Sequence, residues 1–176
     1  LQKGPLKLIG DFNLYPLPTQ LSLRTDLYRR YNEIQTRNIT NPGLILPATF
    51  EKDFLWNRYF DLRYDMTRNL KVDFSSRNTS RIDEPEGRFN RRYDDYEWKR
   101  DSIVANLMEL GRPVLYNHDM NVTYTLPLSQ IKALNFITVT GRYQGSYNWQ
   151  AGAITADTIR LGNIVQNSQN IQFTGN

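Results

Sequence analysis

The chain has 176 residues, with 22 Lys and Arg against 18 Asp and Glu, a single His and no Cys. This length suits one domain with a sizeable core, and zero cysteine removes disulfide scaffolds, thiolate metal sites and thiol catalysis. A mean hydropathy of −0.62, with no run near the roughly 20 apolar residues of a membrane helix, excludes helical spans but not a β-barrel, whose strands alternate between lipid and lumen.

The net charge of +4 is small, and its basic residues are interspersed with acids along the whole chain. No basic stripe with interleaved aromatics appears, so nucleic acid is not an expected partner. Aromatics make up 12% of the chain and favour strands, so the composition leans β. Leu1-Gln2-Lys3-Gly4-Pro5 is not a secretory signal, so an exported protein would be present here as a mature chain or an excised piece.

Period-two alternation predicts six strands. The first runs from about Leu6 to Tyr15, and Pro16-Leu17-Pro18-Thr19 is read as a tight turn into the second, Gln20 to Tyr31. The third sets Phe54, Trp56, Phe60, Leu62, Tyr64 and Met66 against Asp53, Asn57, Asp61, Arg63 and Asp65, with Arg58 discordant in the apolar phase. After a turn at Thr67-Arg68-Asn69, the fourth sets Leu70, Val72 and Phe74 against Lys71, Asp73 and Ser75. The fifth, about Val114 to Leu126, sets Tyr116, Met120, Val122 and Tyr124 against Asn117, Asp119, Asn121 and Thr123. The sixth, Phe136 to Gln150, sets Val139, Tyr143, Tyr147 and Trp149 against Thr140, Arg142, Gln144 and Asn148.

Connections after the odd strands are short, whereas long loops are expected at about 32–52, 76–113 and 151–176. Sorting of short turns and long loops is the plan of an outer-membrane barrel, and strands of this length meet the roughly 9 to 11 residues a tilted membrane crossing needs. The fold class expected is therefore all-β, an antiparallel transmembrane β-barrel segment of about six strands in three hairpins, the whole chain being part of one large barrel domain. Within the middle loop a helix is expected near 96–110, capped by Asp94 or Asp95, with a stripe of Ile103, Val104, Leu107, Met108 and Leu110 and a stop at Gly111 and Pro113. It would cover a barrel mouth, meet a partner or pack on neighbouring strands. The Asn- and Gln-rich tail from Leu161 to Asn176 reads as a polar surface loop.

Chemistry-bearing motifs are sparse. His118 has no second His or Cys with which to build a metal or nucleophile site and reads as a packed or hydrogen-bonded histidine. The acidic stretch Asp83-Glu84-Pro85-Glu86-Gly87 lacks the alternating ligand spacing of a calcium loop and has arginines nearby, so it reads as a solvated charged loop. No phosphate loop, nucleophile elbow or zinc-protease helix is present. Enzymatic activity, a cofactor and a metal are not expected.

Three stretches resemble a known family: Lys52-Asp53-Phe54-Leu55-Trp56-Asn57-Arg58-Tyr59-Phe60-Asp61-Leu62 on to Ser80-Arg81-Ile82-Asp83-Glu84-Pro85-Glu86-Gly87; Tyr116-Asn117-His118 through Thr125-Leu126-Pro127-Leu128 to Tyr147-Asn148-Trp149-Gln150-Ala151; and Gly162-Asn163-Ile164-Val165-Gln166-Asn167-Ser168. They resemble the SprA/Sov family, the gliding-motility outer-membrane translocon of type IX secretion in Bacteroidetes, and the resemblance covers most of the chain after about Leu44. It implies an internal piece of a very large single-chain barrel, at the upper end of known strand number, about 36. It further implies protein transport across the outer membrane, with secreted folded cargo, a PorV-like shuttle protein and a plug protein as partners, and no catalytic residue. Independently, six strands cannot close a bacterial barrel, which starts at about eight, so the remaining strands must come from elsewhere.

On this reading Asp61, Arg63, Asp65, Arg142, Gln144 and Asn148 face a wet lumen, while Phe54, Trp56, Tyr64, Tyr124, Tyr143 and Trp149 face lipid or form its aromatic girdle. Arg58 and His118 then fall in the lipid phase, which requires an interfacial position, a bulge or a protein covering. The competing readings are a soluble β-sandwich module that uses exposed aromatics to bind a glycan or peptide, and a piece of a smaller outer-membrane pore or receptor.

Overall fold

A computed structural model describes residues 15–40, 43–128, 133–153 and 162–176. The described residues are all-β apart from one helix: β1 (Gln20–Ile34), β2 (Thr49–Asp65), β3 (Leu70–Arg81), α1 (Tyr96–Met108), β4 (Arg112–Leu126), β5 (Val139–Gln150) and β6 (Ile164–Gly175). The strands form one antiparallel sheet in the order β1-β2-β3-β4-β5-β6, which among the described residues does not return to β1 and is open. No described helix is long and apolar enough to cross a membrane.

Two expectations change. Ile164–Gly175 is a strand rather than a surface loop, paired with β5 from Val139↔Gly175 to Gln150↔Ile164. Its apolar residues Val165, Ile171 and Phe173 share one face, but Asn167 and Gln169 stand between them on that face and hide the period from a hydrophobicity count. In addition, Pro16–Thr19 does not turn the chain back. Tyr15 N–H donates to Met66 O at 3.0 Å and Thr19 N–H to Arg63 O at 2.9 Å, so the segment continues along β2. The prolines have no N–H to donate, and the pairing is made by Tyr15 and Thr19 on either side of them. The expected strand from Leu6 lies outside the described residues except for Tyr15.

The molecule divides into two compact units. Among the described residues, the first comprises 15–24, 59–77 and those of 115–176, that is, parts of β1 to β4 with all of β5 and β6. Its β2–β3 turn forms as the sequence predicts, with Thr67 Oγ1 accepting from Asn69 N–H at 3.2 Å and Leu70 N–H at 2.9 Å. Opposed residues share a face, so Val122↔Tyr143↔Ile171 and Tyr116↔Trp149↔Val165 make an apolar side. Asp119↔Ser146↔Ser168 and Asn121↔Gln144↔Asn170 make a polar one.

The second unit holds 25–58 and 78–114. Here the segment after β3 and α1 are fastened by side chains to strand residues. Arg29 grips Glu84, at 2.5 and 3.1 Å, between the rings of Phe54 and Phe89, 5.5 and 5.3 Å away. Lys52 Nζ donates to Pro85 O at 2.6 Å, Arg112 holds Asp83 at 2.9 and 3.0 Å, and Arg88 binds Glu33. Ile82, at 1% exposure, is the only buried hydrophobic residue described, so polar contacts carry much of this fastening.

α1 starts after Asp95, whose side chain makes no cap hydrogen bond and instead meets Lys99 at 2.6 Å. Lys99 also donates to Arg88 O at 2.9 Å and is the one buried residue of the helix. Of the expected stripe, Ile103 and Leu107 are partly covered while Val104, Met108 and Leu110 remain exposed. The helix ends at Met108, three residues before the expected stop at Gly111, and the left-handed conformation begins at Leu110 (φ 65°) and continues at Gly111 (φ 69°).

Candidate functional site

The polar face of the first unit gathers the residues assigned to a lumen. In β2, Arg63 Nε donates to Asp73 Oδ1 at 2.9 Å, and Asp65 Oδ2 accepts from Thr19 Oγ1 at 3.2 Å. Asp61 and Arg63 line a cleft of about 340 Å³ with Asp73, Ser75, Asp119 and Asn121. In β5, Gln144 lines a cleft of about 360 Å³ that shares Asp119 and Asn121, and Asn148 lines another of about 290 Å³ that shares Asp119. Arg142 lies in register with Thr123 and Gln172. The shared Asp119 therefore puts Asp61, Arg63, Gln144 and Asn148 on one side of the sheet, and strand alternation adds Asp65 and Arg142.

The charge on this face is not uniform. Toward β2 and β3 it carries Asp61, Arg63, Asp65 and Asp73, and Tyr59 lies between the guanidinium groups of Arg24 and Arg77, at 5.0 and 5.4 Å. From β4 to β6 the cross-strand rows are Asn117–Asn148–Gln166, Asp119–Ser146–Ser168, Asn121–Gln144–Asn170, Thr123–Arg142–Gln172 and Thr125–Thr140–Thr174. Amides and hydroxyls dominate these rows, and the hydroxyls of Thr125 and Thr140 lie 3.3 Å apart. The β6 members were missed in the sequence, where alternation of amides with one another produces no hydrophobic period.

The apolar face of the same unit carries Tyr64, Tyr124, Tyr143 and Trp149 of the predicted aromatics. Tyr64 OH donates to Tyr15 O at 2.8 Å. Tyr143 folds its hydroxyl over Gly145, where an added Cβ would lie 2.9 Å away, and Phe173 covers Gly141 in the same manner at 3.2 Å. His118 packs as expected, 5.2 Å from and nearly parallel to Tyr147, with Phe74 and Tyr116 at 5.6 and 5.5 Å. Its Nδ1 is buried without a hydrogen-bond partner.

Phe54 and Trp56 belong to the second unit instead. Because β2 begins at Thr49, Trp56 is in the middle of its strand rather than toward an end. Its indole N–H donates to Thr25 Oγ1, and the Arg58 guanidinium lies 5.1 Å over its ring. Arg58 Nη2 donates to Ser80 Oγ at 2.8 Å and Asn78 Oδ1 at 3.2 Å. The Nη2 of the discordant cation is thus met by the chain's own polar groups, while its Nε is buried without a hydrogen-bond partner. No protein-family model and no curated protein matches the chain.

Proposed function

We propose that this chain is a stretch of wall from an outer-membrane β-barrel that conducts folded proteins in type IX secretion, with the PorV-like shuttle and the plug as partners at the completed barrel. The observation that carries the reading is the two-faced sheet of the first unit, aromatic and aliphatic on one side, amide, hydroxyl and charge on the other. Strands of 12 to 17 residues exceed the roughly 9 to 11 needed for a tilted crossing. An open sheet in lipid would strand its edge N–H and C=O groups, so this reading requires further strands to complete the barrel. Resemblance of the quoted stretches to the SprA/Sov family supplies the cargo class and the outer-membrane location.

These 176 residues contain no cysteine, so cysteines substituted into them report without background once any cysteines elsewhere in the full-length protein are replaced. In the full-length protein in intact outer membranes, a water-soluble maleimide should label cysteines at Arg142, Gln144 and Asn148 but not at Tyr143, Tyr147 or Trp149. Bulky adducts at the labelled positions should slow cargo secretion. A full-length protein that fractionates as soluble, or equal labelling of both sets, would overturn the barrel in favour of a soluble β-sandwich module. Membrane insertion without any cargo effect would favour a smaller pore or receptor.

A further inference from the structure

On the polar side of the first unit, the five cross-strand rows of β4 to β6 hold fifteen residues, of which thirteen are amides or hydroxyls. The exceptions, Asp119 and Arg142, carry opposite signs and cancel. Lys, Glu and aromatic side chains are absent from these rows. On β5, Arg142, Gln144, Ser146 and Asn148 are exposed, and so is every residue of β6. The face is open to solvent, yet it carries far less charge than the roughly 25 to 35% usual for a soluble surface.

This composition excludes the usual ways of holding a protein. Steering or binding a partner by charge needs an excess of one sign, and these rows have none. A binding hot spot needs aromatic or arginine anchors in desolvated pockets, and Arg142, the one arginine in the rows, is exposed. Exposed amides and hydroxyls are already hydrogen-bonded to water, so exchanging that water for the polar groups of a passing protein changes the free energy little. Nearer β2 the same face does carry charge, but there Arg63 is engaged by Asp73 at 2.9 Å.

We infer that β4 to β6 form a low-adhesion strip that is blind to the net charge of folded cargo, so that acidic and basic proteins pass it without being held. The inference rests on the pore reading, which maleimide labelling of cysteines at Arg142, Gln144 and Asn148 tests separately.

In the full-length protein in intact outer membranes, a photo-crosslinking residue replaces Asn148. One reporter protein carrying the secretion signal of a native cargo is made with a net charge of about −8 or about +8. Adducts per secreted molecule should differ by less than about threefold between the two forms. Gln144→Lys, Ser168→Lys and Asn170→Lys combined should raise the acidic-to-basic adduct ratio above about threefold through exposed ion pairs, and Glu at the same three positions should invert it. Gln144→Asn, Ser168→Thr and Asn170→Gln combined should leave the ratio unchanged. A ratio beyond about threefold in the otherwise unaltered wall overturns the inference even where the charged variants do not assemble. Charged variants that assemble and leave the ratio unchanged overturn it too, as does the absence of reporter adducts from a position 148 that maleimide reaches. Absence of maleimide labelling at that position instead overturns the pore reading, and the inference with it.

Discussion

Arg29 shows what a single residue must do in a sheet with few buried apolar side chains. Its guanidinium binds Glu84, whose side chain is only 3% exposed, and lies against both Phe54 and Phe89. Removing one partner of such a pair leaves a buried charge, whereas replacing both with apolar groups of similar volume is far less damaging. Arg29→Met should therefore destabilise the second unit by about 2 to 3 kcal/mol, and Arg29→Met with Glu84→Leu should recover most of the loss in urea unfolding. Gly111 is a second constrained residue: at φ +69° an added Cβ would lie 2.6 Å from Ile82 Cδ1 and 2.8 Å from Arg81 O. Gly111→Ala should cost about 2 kcal/mol or more, seen as faster proteolysis after β3.

Asp83 contributes to the pH response of the same region. The hydrogen bond from Arg112 holds its carboxyl below the usual range, against the opposing effect of burial. A carboxylate with a depressed folded pKa stabilises at pH above its unfolded value and loses that stabilisation as pH falls through its folded one. The fastening of residues 82–95 should thus be unchanged from neutrality to about pH 4 and weaken only below it. Asp83→Asn should reduce that acid dependence in hydrogen exchange of the segment, leaving the part that comes from Glu33, whose carboxyl the Arg88 hydrogen bond also holds below its usual range.

At the scale of elements, β6 and β3 teach the same lesson. The apolar pattern of β3 fades after Phe74, yet the strand continues to Arg81, and its Asn78 and Ser80 receive the charge of Arg58. In β6, Ile171 and Phe173 pack opposite Tyr143 and Gly141, while Asn167 and Gln169 place amides amid that apolar face. If the face meets lipid, an amide there is costly. Gln169→Val should then raise the unfolding midpoint of the membrane-inserted protein, whereas in a soluble module the same change should lower solubility.

At the scale of the whole molecule, alternation in the sequence was enough to predict β1 to β5 and the turn at Thr67, because there one phase is apolar and the other polar and only a half-buried strand fits both. A helix stop near Gly111 was legible for an equally local reason, the tolerance of glycine for positive φ, although the left-handed conformation starts one residue earlier, at Leu110. The polar face could likewise be read from Asp61, Arg63, Gln144 and Asn148, since side chains two apart on a strand must share a side. What the tertiary structure alone decided is where polar groups find partners: β6 against β5, Pro16–Thr19 along β2 and Glu84 under Arg29. Such pairings join residues far apart in the chain through hydrogen bonds and register, and these leave no period in a hydrophobicity pattern.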